Sequence, residues 1–242
     1  MASPLEQFTI KTIAEVPGGF DFTNSSLWMT LAVATATIFL VGGMRKREMV
    51  PGPWQSMAES VYVFIGDMIR DNVGAQGRKF FPLVFTIFMF VLLGNALGMI
   101  PGSFTFTSHI VVTGVLAIFV FLFVTLVGLV KHGLHFFSFF VPEGAPKALY
   151  PLIIPIEVIS YLSRPVSLSV RLFANMVAGH TMLKVFAGFV ISLGAVTFGI
   201  GGIAPIILNV LLIGFEFMIA FIQAYVFTLL TCLYLNDALH LH

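Results

Sequence analysis

One apolar stretch, residues 148–193, constrains the fold of this chain more than any other part of its sequence. As a single helix rising about 1.5 Å per residue, it would reach about 70 Å. The hydrocarbon core of a bilayer is only about 30 Å thick. The stretch must therefore cross a membrane twice, tilt steeply or be broken, and Pro151, Pro155 and Pro165 are candidate break or kink points.

Composition indicates a membrane protein throughout. Of the 242 residues, 58% are hydrophobic and only 10% are charged, whereas a soluble domain carries about 25% charged residues. The polar gaps are too short for a separate soluble domain, so we predict one membrane domain over residues 1–242. A net charge of +1 argues against a polyanionic partner such as nucleic acid, and the single cysteine, Cys232, excludes an intrachain disulfide.

The pattern of apolar runs predicts an all-α integral membrane protein. We expect about five membrane-crossing helices and one interfacial amphipathic helix, with the last two crossings forming a long tilted hairpin. The predicted segments are an outer-side N-terminal segment at 1–26, a first span at 27–44, the amphipathic helix at 51–74, spans at 80–100 and 109–130, and the hairpin at 148–193 and 206–235.

Basic residues predict the orientation of the chain. Loops 45–47, 70–79 and 131–147 carry eight of the twelve Lys and Arg residues, whereas loops 101–108 and 194–205 carry none. By the positive-inside rule the first set is cytoplasmic, which places the N-terminus outside and, after five crossings, the C-terminus inside. Because no basic region precedes an apolar core at the N-terminus, we expect that segment to be retained rather than cleaved.

Polar side chains form a seam within the 148–193 stretch. Glu157, Arg164 and Arg171 are seven residues apart, and seven helical residues leave only about 20° of angular drift. Asn175 lies one turn beyond Arg171, whereas His180, nine residues beyond it, falls on roughly the opposite face. Ionisable groups at bilayer depth cost about 2.5–3.5 kcal/mol each on insertion scales, so the seam indicates an ion pathway.

A second seam with the same spacing lies in residues 206–235 and comprises Asn209, Glu216 and Gln223. Glu216 and His180 can carry protons, whereas amide and hydroxyl side chains can line a wet path without holding charge. Arg171 stays protonated at any accessible pH, so it cannot relay a proton but can favour the anionic form of a neighbouring carboxylate. This chain has no obvious mobile carboxylate, so a partner should supply one.

Structural interpretations of the same residues stay open. Glu157 with Arg164, and Glu216 with Arg171, can be ion pairs that only hold helices together. Arg164, which precedes a proline, can support a gate or serve a structural or interfacial role. His180 can be an interhelical hydrogen-bonding residue.

Other functional classes are also open. A secondary proton-coupled transporter would need a substrate pocket and usually internal symmetry, and no repeat is visible. A static scaffold in a respiratory complex would use the charges only as ion pairs. An intramembrane hydrolase lacks a Ser/His or paired-Asp constellation. No metal site is predicted, because His132 and His135 have no accompanying ligand set, and no nucleotide-cofactor motif is present.

At the seam residues the chain resembles subunit a of the F-type ATP synthase. The matching stretches are Glu157, the run SRPVSLSVRLFANMVAGH at 163–180, and residues 216–223 followed by TLLTCLYL. The RLFANM run is the most specific part, and the resemblance covers most of the chain from the first span onward. Several bacterial relatives hold Glu and His at the positions of His180 and Glu216, and the exchanged order found here resembles mitochondrial relatives.

The resemblance implies a role for each seam residue. Arg171 would face a ring of c subunits and separate two half-channels. The half-channel from the outer side would be lined by Asn175, His180, Glu216 and Gln223, with Asn209 on the same seam. The exit would be bordered by Glu157, with Ser160 and Ser167 as candidates, and Arg164 would support the gate or the structure.

The resemblance also implies partners and a location. The partners would be the carboxylates of the c-subunit ring, peripheral-stalk b-type subunits, the rest of the ATP synthase complex and the lipid bilayer. The chain itself would be non-catalytic and without a cofactor, and would sit in a bacterial inner membrane or, alternatively, a mitochondrial inner membrane. No evident sodium ligand set is present, which favours protons over sodium ions.

Overall fold

The computed structural model describes residues 6–15, 21–45, 48–100, 102–141, 149–197 and 200–240. Its helices are α1 Asn24–Gly43, α2 Pro53–Val73, α3 Phe81–Gly98, α4 Ile110–His132, α5 Tyr150–Val196 and α6 Ile203–Leu239. Of the predicted features, two basic residues, Lys46 and Arg47, and the loop segment 142–147 lie outside the described residues.

Five helical segments within the described residues are long and apolar enough to cross a membrane. They are Asn24–Gly43, Ala75–Gly98, Ile110–Phe136, Tyr150–Val196 and Ile200–Leu239. The predicted all-α integral membrane fold is confirmed, and the chain is a multi-pass membrane protein.

The N-terminal segment contains the one strand pair of the described chain, which the sequence analysis did not predict. Strands β1 (Thr12–Ala14) and β2 (Phe22–Thr23) pair antiparallel. Asn24, at the start of α1, joins this pair to the helix: its backbone N–H donates to the carbonyl of Lys11 at 3.0 Å, and its side-chain amide donates to the carbonyl of Thr9 at 3.1 Å. These hydrogen bonds join residues 13 and 15 positions apart and leave no hydrophobic period for a sequence pattern to detect.

Helix α2 is amphipathic and packs against the bundle. It begins with Pro53 at its first turn and ends at Gly74, whose φ of +79° favours glycine. Its buried residues are Ala58, Ile65, Met68, Ile69 and Val73. The indole Nε1 of Trp54 donates to the carbonyl of Phe39 at 3.0 Å, and Gly43 leaves room for that indole, because a Cβ there would lie 2.8 Å from it.

Helix α5 runs unbroken for 47 residues, so the proposed break does not occur. Pro155 and Pro165 lie inside the helix, and Pro151 sits in its first turn, where proline is well tolerated. At about 1.5 Å per residue the helix is about 70 Å long. A helix of that length can stay within a core about 30 Å thick only by tilting steeply.

A short turn joins α5 to α6. The hydroxyl of Thr197 donates to the carbonyl of Leu193 at 2.6 Å and accepts the N–H of Gly201 at 2.6 Å. Both helices continue into the region 194–205 that the sequence analysis gave as a loop, so the connection is shorter than predicted. The two helices then pack against each other as a hairpin.

The buried core lies where α2, α3, α4, α5 and α6 meet. Its fully buried large side chains include Ile65, Val84, Phe88, Leu172, Phe227 and Leu235. The C-terminal end of α6 is held there by Lys131, whose ammonium donates to the carbonyl of Leu239 at 2.6 Å and to Oε1 of Gln76 at 2.8 Å. A cation at a helix C-terminus satisfies free carbonyls and favours the helix dipole.

Candidate functional site

Glu216 of α6 meets His180 of α5 across the hairpin. Nδ1 of His180 lies 3.6 Å from Oε1 of Glu216, and the two side chains are only 11% and 4% exposed. This separation is within ion-pair range but longer than a direct hydrogen bond, which spans about 2.7–3.2 Å. The two groups that can carry protons therefore lie next to each other, shielded from bulk solvent.

Gly179 provides the space for the Glu216 carboxyl group. A Cβ on Gly179 would lie 2.6 Å from Oε1 of Glu216 and 2.8 Å from its Cδ. Neither carboxyl oxygen of Glu216 has a hydrogen-bond partner among the described residues, although both are buried. Because a buried polar group without a hydrogen bond is costly, this carboxyl is open to a proton, a water molecule or the imidazole.

Thr105 contacts the other side of the His180 ring. Its hydroxyl lies 2.9 Å from Nε2 of His180 and donates to the carbonyl of Gly98 at 3.1 Å. Thr105 belongs to the loop between α3 and α4 and is only 5% exposed. Sequence reasoning missed it, because a threonine in a polar loop carries no signal that distinguishes it from its neighbours.

The seam on α6 is partly covered by α3. Gln223 is buried, and Asn95 of α3, which is fully buried, donates from its side chain to the carbonyl of Ala220 at 3.4 Å. Ala220 lies one turn beyond Glu216, so Asn95 reaches the same region of α6. The side-chain oxygen of Asn95 has no hydrogen-bond partner within the described chain, and the same holds for that of Asn209.

Arg171 stands apart from the His180–Glu216 pair. Its side chain is exposed, and it forms no hydrogen bond or ion pair with any described residue. The alternative of a Glu216–Arg171 ion pair is wrong, because Glu216 faces His180 instead. Asn175, one turn beyond Arg171, is half-buried, and its side chain makes no hydrogen bond within the described chain.

Arg164 pairs with Asp237 near the end of α6. Its Nη1 donates to Oδ2 of Asp237 at 2.8 Å, and its guanidinium lies 5.3 Å and 5.0 Å from the ring centres of Tyr161 and Tyr234. Sequence reasoning did not single out Asp237. A signal was present, because Asp237 lies two further heptad steps beyond Gln223 and therefore continues the α6 seam.

The remaining candidates line α5 on the Arg171 side. Glu157 is half-buried and has no ion pair or hydrogen bond with any described residue, so the Glu157–Arg164 alternative is also wrong. Ser160 and Ser167 are exposed. Their three- and four-residue spacing from Arg164 and Arg171 puts all four side chains on one stripe of the helix.

Comparison with known proteins decides the family. The family model described as ATP synthase A chain matches residues 26–236. The chain belongs to the ATP synthase A chain family. The matched range includes Arg171, His180 and Glu216, and it ends one residue before Asp237.

Three similar relatives, each named ATP synthase subunit a, match the chain over almost its whole length. The relative from Rhodospirillum rubrum is 56% identical over 247 residues and covers 100% of both chains. The relative from Rhizobium etli is 55% identical over 242 residues, 98% of this chain and 97% of its own. The relative from Paramagnetospirillum magneticum is 52% identical over 248 residues, 100% of both chains.

Proposed function

We propose that this member of the ATP synthase A chain family is the non-catalytic stator subunit that conducts protons and couples their flow to rotation of a ring of c subunits. The observation that carries the proposal is the position of Arg171. Its guanidinium is exposed on a membrane helix and has no ion pair within the described residues. Because an ionised group at bilayer depth costs about 2.5–3.5 kcal/mol, a partner carboxylate would compensate it there.

Arg171 acts as the gate in this proposal. It cannot release its proton, so it blocks a direct leak through the protein. It favours the anionic form of a carboxylate brought beside it, so a protonated c-subunit carboxyl group loses its proton on arrival. Both effects require a fixed positive charge that faces the partner, and the exposed position of Arg171 supports this.

The half-channel from the outer side begins at His180, on the face of α5 opposite to Arg171, and reaches the Arg171 side at Asn175. The buried contact of His180 with Glu216 supports a proton-exchanging pair there, with the side chains of Asn175 and Gln223 as polar lining. Asn209 lies two turns from Glu216 towards the hairpin turn and borders a cavity of about 270 Å³. Asn209 is the polar residue of this cavity, and its other lining residues are the apolar Ala187, Val190, Ile206, Val210 and Ile213.

The exit half-channel runs along the other end of the Arg171 stripe. Glu157, Ser160 and Ser167 line it, since they lie uncovered or half-covered on that part of α5. Arg164 supports the site indirectly, because its ion pair with Asp237 ties α5 to the end of α6.

One proton transfer then proceeds as follows. A proton enters from the outer side, passes Glu216 and His180, and neutralises a carboxylate of the c ring. The neutral carboxyl group moves through lipid and, after nearly a full turn, reaches the exit path and is deprotonated near Arg171. A membrane potential contributes about 2.3 kcal/mol per charge for each 100 mV. ATP is formed in a separate sector, and this sequence contains neither GxxxxGK[ST] nor GxGxxG.

The family and its bacterial relatives support the location and the remaining partners in this proposal, and the distribution of basic residues supports the orientation. The chain sits in a bacterial inner membrane with its N-terminus outside and its C-terminus in the cytoplasm, and peripheral-stalk b-type subunits hold it as part of the stator. The transporter and scaffold alternatives find no support in the family match.

The decisive experiment replaces Arg171 by alanine in the whole complex in inverted vesicles. ATP-driven proton pumping is followed, and passive proton leak is measured after the soluble sector is removed. Loss of pumping with a retained or increased leak is expected. The matched control is Arg70→Ala, which removes an arginine that is 73% exposed on α2. Normal coupled pumping by Arg171→Ala contradicts the gate assignment.

A further inference from the structure

The loop that carries Thr105 is buried, which is unusual for a connection between two helices. Such loops normally run over the protein surface. Here Phe104, Thr105, Phe106, Thr107 and Ser108 are each at most 6% exposed. The loop therefore occupies a defined place inside the bundle, beside His180.

Two glycines of α3 allow the loop to approach this closely. A Cβ on Gly98 would lie 2.6 Å from Oγ1 of Thr105, and a Cβ on Gly94 would lie 2.5 Å from the ring of Phe106. Both distances are shorter than real Cβ contacts. The backbone of α3 and the loop are therefore in direct contact, which keeps the Thr105 hydroxyl in one position.

The hydrogen bonds of Thr105 orient the His180 ring. The carbonyl of Gly98 accepts from the hydroxyl of Ser103 at 2.8 Å as well as from that of Thr105 at 3.1 Å, so the Thr105 hydroxyl can either donate to Nε2 of His180 or accept from it. In both directions the 2.9 Å hydrogen bond occupies Nε2. Nδ1 is then the ring nitrogen that faces Glu216.

We propose that Thr105 is a positioning residue for proton transfer: its hydrogen bond to Nε2 of His180 holds the ring so that Nδ1 faces Oε1 of Glu216, 3.6 Å away. This inference rests on the proposed function. In the transfer, one proton passes between Nδ1 of His180 and the carboxyl group of Glu216, so that one group loses the proton that the other gains. Without Thr105 the ring can turn, and Nδ1 then no longer faces the carboxyl group.

Few other groups act on His180. Glu216 is the titratable group facing it from α6, and Lys184 is the cation one turn further along α5. From the N-terminal turn, Phe8 meets the imidazole edge-on, with ring centres 6.4 Å apart. Among these described neighbours, Thr105 alone makes a hydrogen bond on the Nε2 side.

The test compares Thr105→Val with Thr105→Ser in the assembled complex. Valine keeps the shape and removes the hydroxyl, whereas serine keeps the hydroxyl. We expect Thr105→Val to slow ATP-driven proton pumping about tenfold and to move the midpoint of its pH profile, because one hydrogen bond that orients a proton carrier is lost. Thr105→Ser should pump at close to the wild-type rate with the wild-type pH profile.

Thr107→Val is the matched control, since Thr107 is 2% exposed in the same loop and its hydroxyl has no partner among the described residues. A general packing fault in the loop would slow this variant as well. In a His180→Ala background, Thr105→Val should cause no further loss, because Thr105 acts only through the imidazole.

Several results overturn the proposal. A Thr105→Val complex with wild-type rate and pH profile does so, and so does a Thr107→Val complex that shows the same defect. If the Thr105→Val complex does not assemble, an altered pH profile in the Thr105→Ser complex also contradicts the proposal. When Thr105→Val leaves pumping unchanged but Arg171→Ala still abolishes pumping, only the positioning role fails. When Arg171→Ala leaves pumping coupled, the proposed function itself fails.

Discussion

Oδ2 of Asp237 accepts a hydrogen bond from Nη1 of Arg164 at 2.8 Å, and this contact ties the last turn of α6 to the N-terminal third of α5. The guanidinium also lies 5.3 Å and 5.0 Å from the centres of the Tyr161 and Tyr234 rings. The two long helices are therefore joined by polar contacts at two levels: here, and at His180 with Glu216.

Asp237→Asn should weaken the hairpin without removing the gate. Since the Asp237 side chain is 42% exposed, solvent screening limits the loss to about 1 kcal/mol. The midpoint of heat-induced release of this subunit from the solubilised complex should fall, and Arg164→Gln should add little in the double variant. The control is Asp67→Asn, which removes a more exposed surface pair with Arg70. Full additivity of the Arg164 and Asp237 changes would contradict a direct pair.

Gly179→Ala should impair pumping, because the new methyl group would lie 2.6 Å from Oε1 of Glu216. The carboxyl group must then move away from His180, and we expect a loss of about tenfold or more in coupled pumping. Gly188→Ala is the control on the same helix, where a Cβ would meet no atom within 4 Å. Equal activity of the two variants would show that the position of Glu216 is not critical.

Glu216→Gln should stop pumping without opening a leak. The amide keeps the shape of the side chain but cannot exchange a proton, so entry is interrupted while Arg171 still separates the half-channels. Passive leak through the membrane sector should therefore fall below the wild-type rate, in contrast to the leak retained or increased by Arg171→Ala. A rise in leak on Glu216→Gln would mean that the two residues do not have separate roles.

Asn95→Leu should separate conduction from packing. Asn95 is fully buried, and its side-chain oxygen has no partner within the described residues. Replacing it by an apolar residue of similar size removes an unsatisfied acceptor and the 3.4 Å bond to Ala220, so the heat stability of the complex should stay close to wild type. If Asn95 orders water on the proton path, Asn95→Leu lowers proton pumping but leaves the heat stability of the complex unchanged. A parallel fall in both would assign Asn95 a packing role instead.

Much of the fold was predictable because the membrane simplifies the physics. A long apolar run must become a helix, since unpaired backbone groups cannot be left in hydrocarbon. The five spans and the amphipathic α2 follow from that rule and from the helical period. The pairing of β1 with β2 was not predictable, because these short strands and their hydrogen bonds to Asn24 lie in a segment without hydrophobic pattern.

The site was only half predictable. The heptad spacing placed Glu157, Arg164 and Arg171 on one stripe and His180 on the opposite face, and in the structure Glu216 contacts His180. Spacing also suggested the ion pairs Glu157–Arg164 and Glu216–Arg171, and neither forms. The helical period fixes the direction in which a side chain points around the axis of its helix. It does not fix which neighbouring residue the side chain contacts.

The amino-acid sequence by itself determined the membrane class, the helices, the polar seams and the family signature around Arg171, because each depends on short-range spacing along one helix. Only the tertiary structure decided the partners. Thr105 lies 75 residues from His180, Asn95 lies 125 residues from Ala220, and Arg164 lies 73 residues from Asp237. Such contacts depend on how each helix is rotated and shifted along its axis relative to its neighbours. The packing of the whole core determines both.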